Sequence, residues 1–416
     1  MKAKLIFLLV VVFSYYAKAQ EMNCGEKGNQ MSKYIANKEY DKALAVWNDL
    51  KASCPTYSEQ IYTLSSQILQ YNIEIASPEN KEKEVRELIQ LYDLYDKNFP
   101  YNQNGNFEKR AMALYDNKAG SEDEIYNFLN LAYEKQRNTF TNSQAIFVYF
   151  QYFFEKNKSD KSTAGIEKLL DKYNVVSALV ENNSQKLPLK ADEYSRVIAG
   201  LDSYMGDLLT CDNLLPYAQK NYEKHQLDID WLSATAKALF VKCKSAPIFG
   251  TIATQLHSLQ PTSKSAYYLA TYTLQTGDQN KAVDFFTQSV SLATNKMEKA
   301  TTAYTIASIL SSSDKGKAKE MVQTAIENNP SNGKYFIFLA NLYANSVGEC
   351  GTNAEEKKAI YKLASDTVLK AIAVEPRLKV TCDKMSNNYL KNVVSDNTSK
   401  VKEVKIGCWI NQTVRF

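Results

Sequence analysis

The chain has 416 residues, of which 44% are hydrophobic, and a formal net charge of +4. That is enough apolar material for a large core and too little charge for a broad claim on nucleic acid or anionic lipid. Only 14 glycines and 9 prolines interrupt it, and period-two alternation is nearly absent before residue 400, which disfavours a sheet protein and points to helices throughout.

The first residues read as an export signal. Lys2 and Lys4 precede an unbroken apolar run from Leu5 to Phe13, and Ala17-Lys18-Ala19 supplies the small-x-small pattern of a cleavage site. The run is far shorter than the roughly 20 residues needed to cross a bilayer. Cleavage after Ala19 is therefore expected, with 1–19 as the leader and the product exported to the periplasm or cell surface. Cys24 follows closely, but Gln20-Glu21-Met22-Asn23 lacks the small apolar residues of a lipoprotein signal. No later segment is long and apolar enough to be an integral membrane span.

One pattern then recurs: a residue followed by others four, seven and twelve positions on, the last a proline. It occurs as Ala43, Trp47, Leu50, Pro55 and as Leu88, Tyr92, Tyr95, Pro100 within 20–100. Offsets of four and three place these side chains on one helical face, and proline marks where the helix must stop. The stretch 101–261 is helical by pattern but degenerate as a repeat. Helices are expected near Asp123–Tyr133, Ala145–Phe154, Ile166–Leu179, Asp192–Leu209, Asn213–His225, Asp230–Cys243 and Pro247–Leu259, with breaks at Asn157–Asp160 and Asn182–Gln185.

The pattern returns in tandem over 262–376. Ala318, Val322, Ala325, Pro330 and Ala364, Val368, Ala371, Pro376 are complete, and Ala282, Phe286, Ser289 lack only the proline. Each is preceded by a large-small pair: Leu269-Ala270, Ile306-Ala307 and Leu339-Ala340. This arrangement resembles the tetratricopeptide repeat, and implies an all-α solenoid of stacked antiparallel helix pairs. The consensus tryptophan is missing, and Asn345–Asn353 reads as an insertion. Over 377–416 a capping helix is expected to give way to an extended or β tail, since Val401, Val404, Ile406, Cys408, Ile410 and Val414 partly alternate with polar residues.

Seven cysteines in an exported chain invite pairing. Cys24 and Cys54 bracket one helical hairpin and Cys211 and Cys243 another, so each pair is within reach. Cys350 and Cys382 would lie at opposite ends of a helix from about Ala354 to Val374, roughly 30 Å apart at 1.5 Å per residue. Cys350 is therefore paired with Cys408, and Cys382 is left free. With no C-x-x-C and no histidine beside a cysteine, neither metal nor cofactor is expected. The cysteine placement, with Ala43-x-x-x-Trp47, Pro247-Ile248-Phe249 and Gly407-Cys408-Trp409-Ile410, resembles exported tetratricopeptide-repeat proteins common in Bacteroidota. The resemblance covers most of the chain and implies location and architecture, but no activity. Cys382 stands outside the paired set and leaves the third bridge open.

Catalytic motifs are absent: no G-x-S-x-G, no H-E-x-x-H, and no glycine spacing upstream of Lys315-Gly316-Lys317 for a phosphate loop. His257 reads as a packing or capping residue and His225 as exposed. A non-enzymatic scaffold that binds a protein or peptide is the leading expectation. A glycan-binding module, motivated by 28 tyrosines, comes second, and a hydrolase third. If the first helix of each repeat lines a groove, Lys264, Tyr267, Thr271, Tyr304, Ser308, Lys334, Ile337 and Asn341 face it. Tyr267 and Tyr304 should then lie exposed and side by side.

Overall fold

The computed structural model describes residues 23–100, 106–393 and 403–416. The leader, its expected cleavage site and Val401 lie outside the described residues. The chain divides into two compact units, one through Leu208 and one from Leu209, a division that falls inside the stretch 101–261.

In the first unit α1 spans 23–36. It is followed by α2 (Tyr40–Ser53), α3 (Glu59–Ile75), α4 (Pro78–Asn98), α5 (Phe107–Asp116), α6 (Glu122–Gln136), α7 (Ser143–Asn157), α8 (Thr163–Lys186) and α9 (Ala191–Met205). From α2 onward each helix packs on the next in sequence, and the short connections make neighbours antiparallel. Local chemistry sets the starts. Ser58, Ser121, Asn142 and Ser162 accept backbone N–H groups of the first turns of α3, α6, α7 and α8. Pro78 opens α4, where its missing N–H costs nothing.

In the second unit α10 (Cys211–His225), α11 (Ile229–Lys242), α12 (Pro247–Leu259), α13 (Ser263–Gln275), α14 (Gln279–Leu292), α15 (Lys296–Leu310), α16 (Lys315–Asn328) and α17 (Gly333–Ala344) stack likewise. A short α18 (Val347–Cys350) precedes α19 (Ala354–Val374) and α20 (Lys379–Leu390). Asp228, Asp278, Asp314 and Asn353 cap α11, α14, α16 and α19, and Thr262 with Ser265 forms a capping box on α13. β1 (Glu403–Ile406) and β2 (Gln412–Arg415) pair antiparallel, with Val404 opposite Val414. Cys408 and Asn411 take positive φ to turn the chain between them. The fold is thus all-α and tetratricopeptide-like, built of stacked antiparallel helix pairs, with a two-stranded tail. No helix among the described residues is long and apolar enough to cross a membrane.

The repeat read from the sequence is the core. Ala43, Ala282, Ala318 and Ala364 have no exposed surface, and their partners at the fourth and seventh positions are all buried. Pro55, Pro100, Pro330 and Pro376 each stand two residues beyond the ends of α2, α4, α16 and α19. Cys24 is joined to Cys54, Cys211 to Cys243 and Cys350 to Cys408, with Cα separations of 6.0, 5.7 and 5.5 Å. Cys382 is free and fully buried.

Three expectations need correction. Asn182–Gln185 is not a break but lies in the last part of α8: Asn183 is buried and donates its side-chain amide to the Phe140 carbonyl at 2.9 Å, while its Oδ1 has no partner. The helix expected to reach Leu209 ends at Met205. His225 is not exposed; its ring lies half-buried, stacked on Trp231 at 5.0 Å, with Nδ1 3.2 Å from Asp228. The segment 345–353 is an insertion, and it contains α18, which brings Cys350 to the tail.

Candidate functional site

Of the residues expected to line a groove in the tandem, Thr271 is buried, Lys264, Tyr267, Tyr304 and Ile337 are half-buried, and three are exposed. Tyr267 is half-buried, its ring edge-on to Phe240 and Phe286 with centroids 5.9 and 5.2 Å away. Tyr304 is half-buried against Tyr335 and Phe338. Thr271 is buried, and its hydroxyl donates to the Tyr267 carbonyl at 2.8 Å. Lys264 lies over the Tyr268 ring, 6.0 Å from its centroid, and Ile337 packs against a small cluster around Val368 and Cys382. Ser308, Lys334 and Asn341 are exposed. Ser308 donates to the Tyr304 carbonyl, and Asn341 accepts from the Tyr389 hydroxyl at 2.7 Å. The tyrosines therefore do not form an exposed pair.

A cleft of about 450 Å3 lies in the first unit between α3, α4 and α5. Arg110, 3% exposed, fastens one wall, α5, to another, α4. It donates to Asp96 at 2.6 Å, pairs with Asp93 at 3.0 Å, and lies over the rings of Phe107 and Phe128. The floor is apolar, formed by Ile73 of α3, Leu88 and Tyr92 of α4, and Met112 of α5. Around it stand Gln70, Glu74, Glu108, Lys109, Asp116 and Asn142.

Burial acts on these polar groups. The Glu108 carboxyl is held above the usual carboxylate range by desolvation, against the pull of hydrogen bonds from the Asn142 side chain and backbone and of Lys109 and Lys190. Asp116 is raised by the same cause, partly offset by Gln144, whose amide donates to it at 3.4 Å. Burial pushes the Tyr92 hydroxyl up to about 12 despite a hydrogen bond with Gln70. An apolar floor with a few convergent polar groups of shifted acidity is the anatomy of a binding site. The sequence reading missed it because three helices contribute. The available signal was the i, i+4, i+8 line of Glu108, Met112 and Asp116, which sets two carboxylates beside an apolar residue along α5.

A larger depression, about 660 Å3, sits at the Thr276–Asn280 turn beside Ser313. It is an open crook in a helix connection, and its one carboxylate, Asp278, is occupied in capping α14. Elsewhere the most perturbed amine is Lys172, which donates to the hydroxyls of Tyr126 and Tyr149 at 3.2 and 2.7 Å. It is 4.2 and 4.6 Å from the ring centroids of Tyr149 and Phe153. That cage is filled by the lysine itself. Among the described residues no group of three or more His, Cys, Asp or Glu is placed to hold a metal ion.

No protein-family model matches the chain, and no curated protein matches it. Among solved structures it is similar to the crystal structure of yeast Tom70, with 11% sequence identity and a TM-score of 0.26. The alignment covers 91% of this chain and 99% of that one. The likeness is too distant to carry a conclusion, and the fold assignment rests on the helix pairs themselves.

Proposed function

We propose that this protein is a non-enzymatic, exported scaffold that holds a polypeptide partner in the cell envelope, through the cleft between α3, α4 and α5. The observation that carries this reading is the cleft itself: concave, with apolar and polar lining residues, and framed by α3 and by α4 and α5, which Arg110 ties together. Helical pairs of this kind offer surfaces whose side chains are not spent on the core. Export is supported by the leader pattern and by three bridges suited to an oxidising compartment. The glycan reading loses support, because nearly all the described tyrosines that suggested it are buried or half-buried. Among the described aromatic residues Tyr57 and Phe416 are the exposed ones.

The test is site-specific cross-linking in intact envelopes. A photo-reactive residue in place of Asn117, on the cleft wall, should capture a protein that the same residue in place of exposed Lys244 does not. Equal capture at both positions, or none at Asn117, overturns the proposal.

A further inference from the structure

The cleft between α3, α4 and α5 has a definite charge preference. Glu74, Glu108 and Asp116 line it against one lining cation, Lys109, with Lys190 also acting on Glu108. None of the three carboxylates forms an ion pair with a described residue. From these carboxylates, the Tyr92 ring and the apolar floor, we infer that the cleft takes the cationic side chain of a lysine or arginine from an extended partner peptide. This rests on the scaffold reading and names what the scaffold grips.

A long basic residue lays its methylene stem along a wall while its charged end stays polar; here the stem would run past Ala113 and the rim of Leu88 and Met112, which are themselves almost wholly buried. The carboxylates of Glu108 and Asp116 are about 12 Å apart along α5 by helical rise, so an extended peptide crossing the cleft meets one, then the other. The Tyr92 ring is nearly buried, and the chain's own Lys109 ammonium stands over it 5.7 Å from its centroid, so the ring already holds a cation that a partner's would displace. The partly desolvated carboxyls of Glu108 and Asp116 gain from a positive neighbour what burial takes from them. An acidic segment meets the opposite: like charge at a site with reduced access to water.

Two fluorescein-labelled nonapeptides test this, identical glycine-serine-alanine chains with a central lysine in one and glutamine in the other. The lysine probe is expected to bind about tenfold or more tightly than the glutamine probe. In the Glu108→Gln/Asp116→Asn variant with native helicity, that difference should vanish. Lys109→Ala, which removes the competing cation, should widen it. Equal binding of the two probes, binding of neither, or a preference that survives the double variant overturns the inference. Should the double variant misfold, the wild type still decides. Lysine-probe affinity must fall from about pH 7 to about pH 4 as the carboxylates protonate, and an affinity that holds steady overturns the inference. Failure here with a partner still captured at Asn117 removes the cation site and leaves the scaffold; failure at Asn117 removes the scaffold whatever the probes show.

Discussion

The tandem from α13 to α19 and the stretch from α6 to α9 pack helices by different means. In the tandem the contacts are made through alanine. Ala270, Ala282, Ala303, Ala307, Ala318, Ala340 and Ala364 have no exposed surface, so one backbone approaches another closely. Between α6 and α9 the spaces are filled by rings. Tyr149, fully buried, stacks on Tyr126 and Tyr133 and meets Phe140 edge-on, while Phe150 contacts Phe154, Tyr173 and Tyr204. Alanine contacts need the same small residue at the same register in every repeat, so they leave a period in the sequence. Ring contacts need only enough volume, which different residues supply, and they leave none.

The sharpest way to break this comparison is to remove a ring. Phe150→Ala is expected to cost about 3–5 kcal/mol, since the cavity opens among rings that cannot close over it. Urea denaturation of the variant, followed by circular dichroism, measures the loss. A cost below about 1 kcal/mol would mean that the aromatic stretch is loosely packed and the contrast with the tandem false.

The tandem is sealed by the tail, and unfastening it comes next in size. Val404, Ile406, Ile410 and Val414 are buried in the same core as Ala318 and Ala359. Trp409 stacks on Tyr343, and Lys319 donates to the Ile410 carbonyl at 2.7 Å. Replacing Cys350 and Cys408 by serine opens a bridge between residues 58 apart and is expected to cost about 2–4 kcal/mol. A lower melting temperature and a red shift in Trp409 fluorescence should appear together. Unchanged melting would show that packing alone holds the hairpin.

A third change inverts the first. Ala318→Leu puts volume where the tandem has none to spare and should cost about 1–3 kcal/mol. A tolerated leucine would mean that α15 and α16 can slide apart, and that the alanine register is incidental.

These contrasts also show what could be read before the structure. The alanine positions and the prolines beyond α2, α16 and α19 were legible because each repeats one task. The bridges were legible because Cys24 and Cys54, and Cys211 and Cys243, bracket hairpins. The end of α8 was not: Asn182–Gln185 has the composition of a turn, and the partner of the Asn183 amide, the carbonyl of Phe140, comes from another connection. Tyr267 and Tyr304 were placed on the right helices, but their burial depends on Phe240, Phe286, Tyr335 and Phe338. The cleft was invisible because no one helix contains it.

The smallest expected effect probes the polar cost of the aromatic solution. Filling space with tyrosines leaves hydroxyls to satisfy, and Lys172 answers two of them. Tyr149 in turn donates to Asn130 at 2.7 Å, and Asn130 to Glu134 at 2.8 Å. Burial pushes the Lys172 ammonium down to about 8, with Lys168 adding to the shift and Glu134 opposing it. Its folded value thus lies below the ordinary lysine value of about 10.4. Between those limits the unfolded chain holds the extra proton, so stability of this unit should rise as pH increases from about 8. The rise should be on the order of 1 kcal/mol, allowing for water reaching a half-buried residue. Above about pH 10 the trend must reverse. Tyr92, Tyr149 and Tyr173 keep their protons in the fold, held high mainly by burial, while the unfolded chain loses them. Denaturation midpoints measured across this range in the wild type and in Lys172→Met separate the two contributions. The methionine variant should lose the rise and keep the fall. A rise that persists without Lys172 would place its origin in another group and make the lysine an ordinary surface cation.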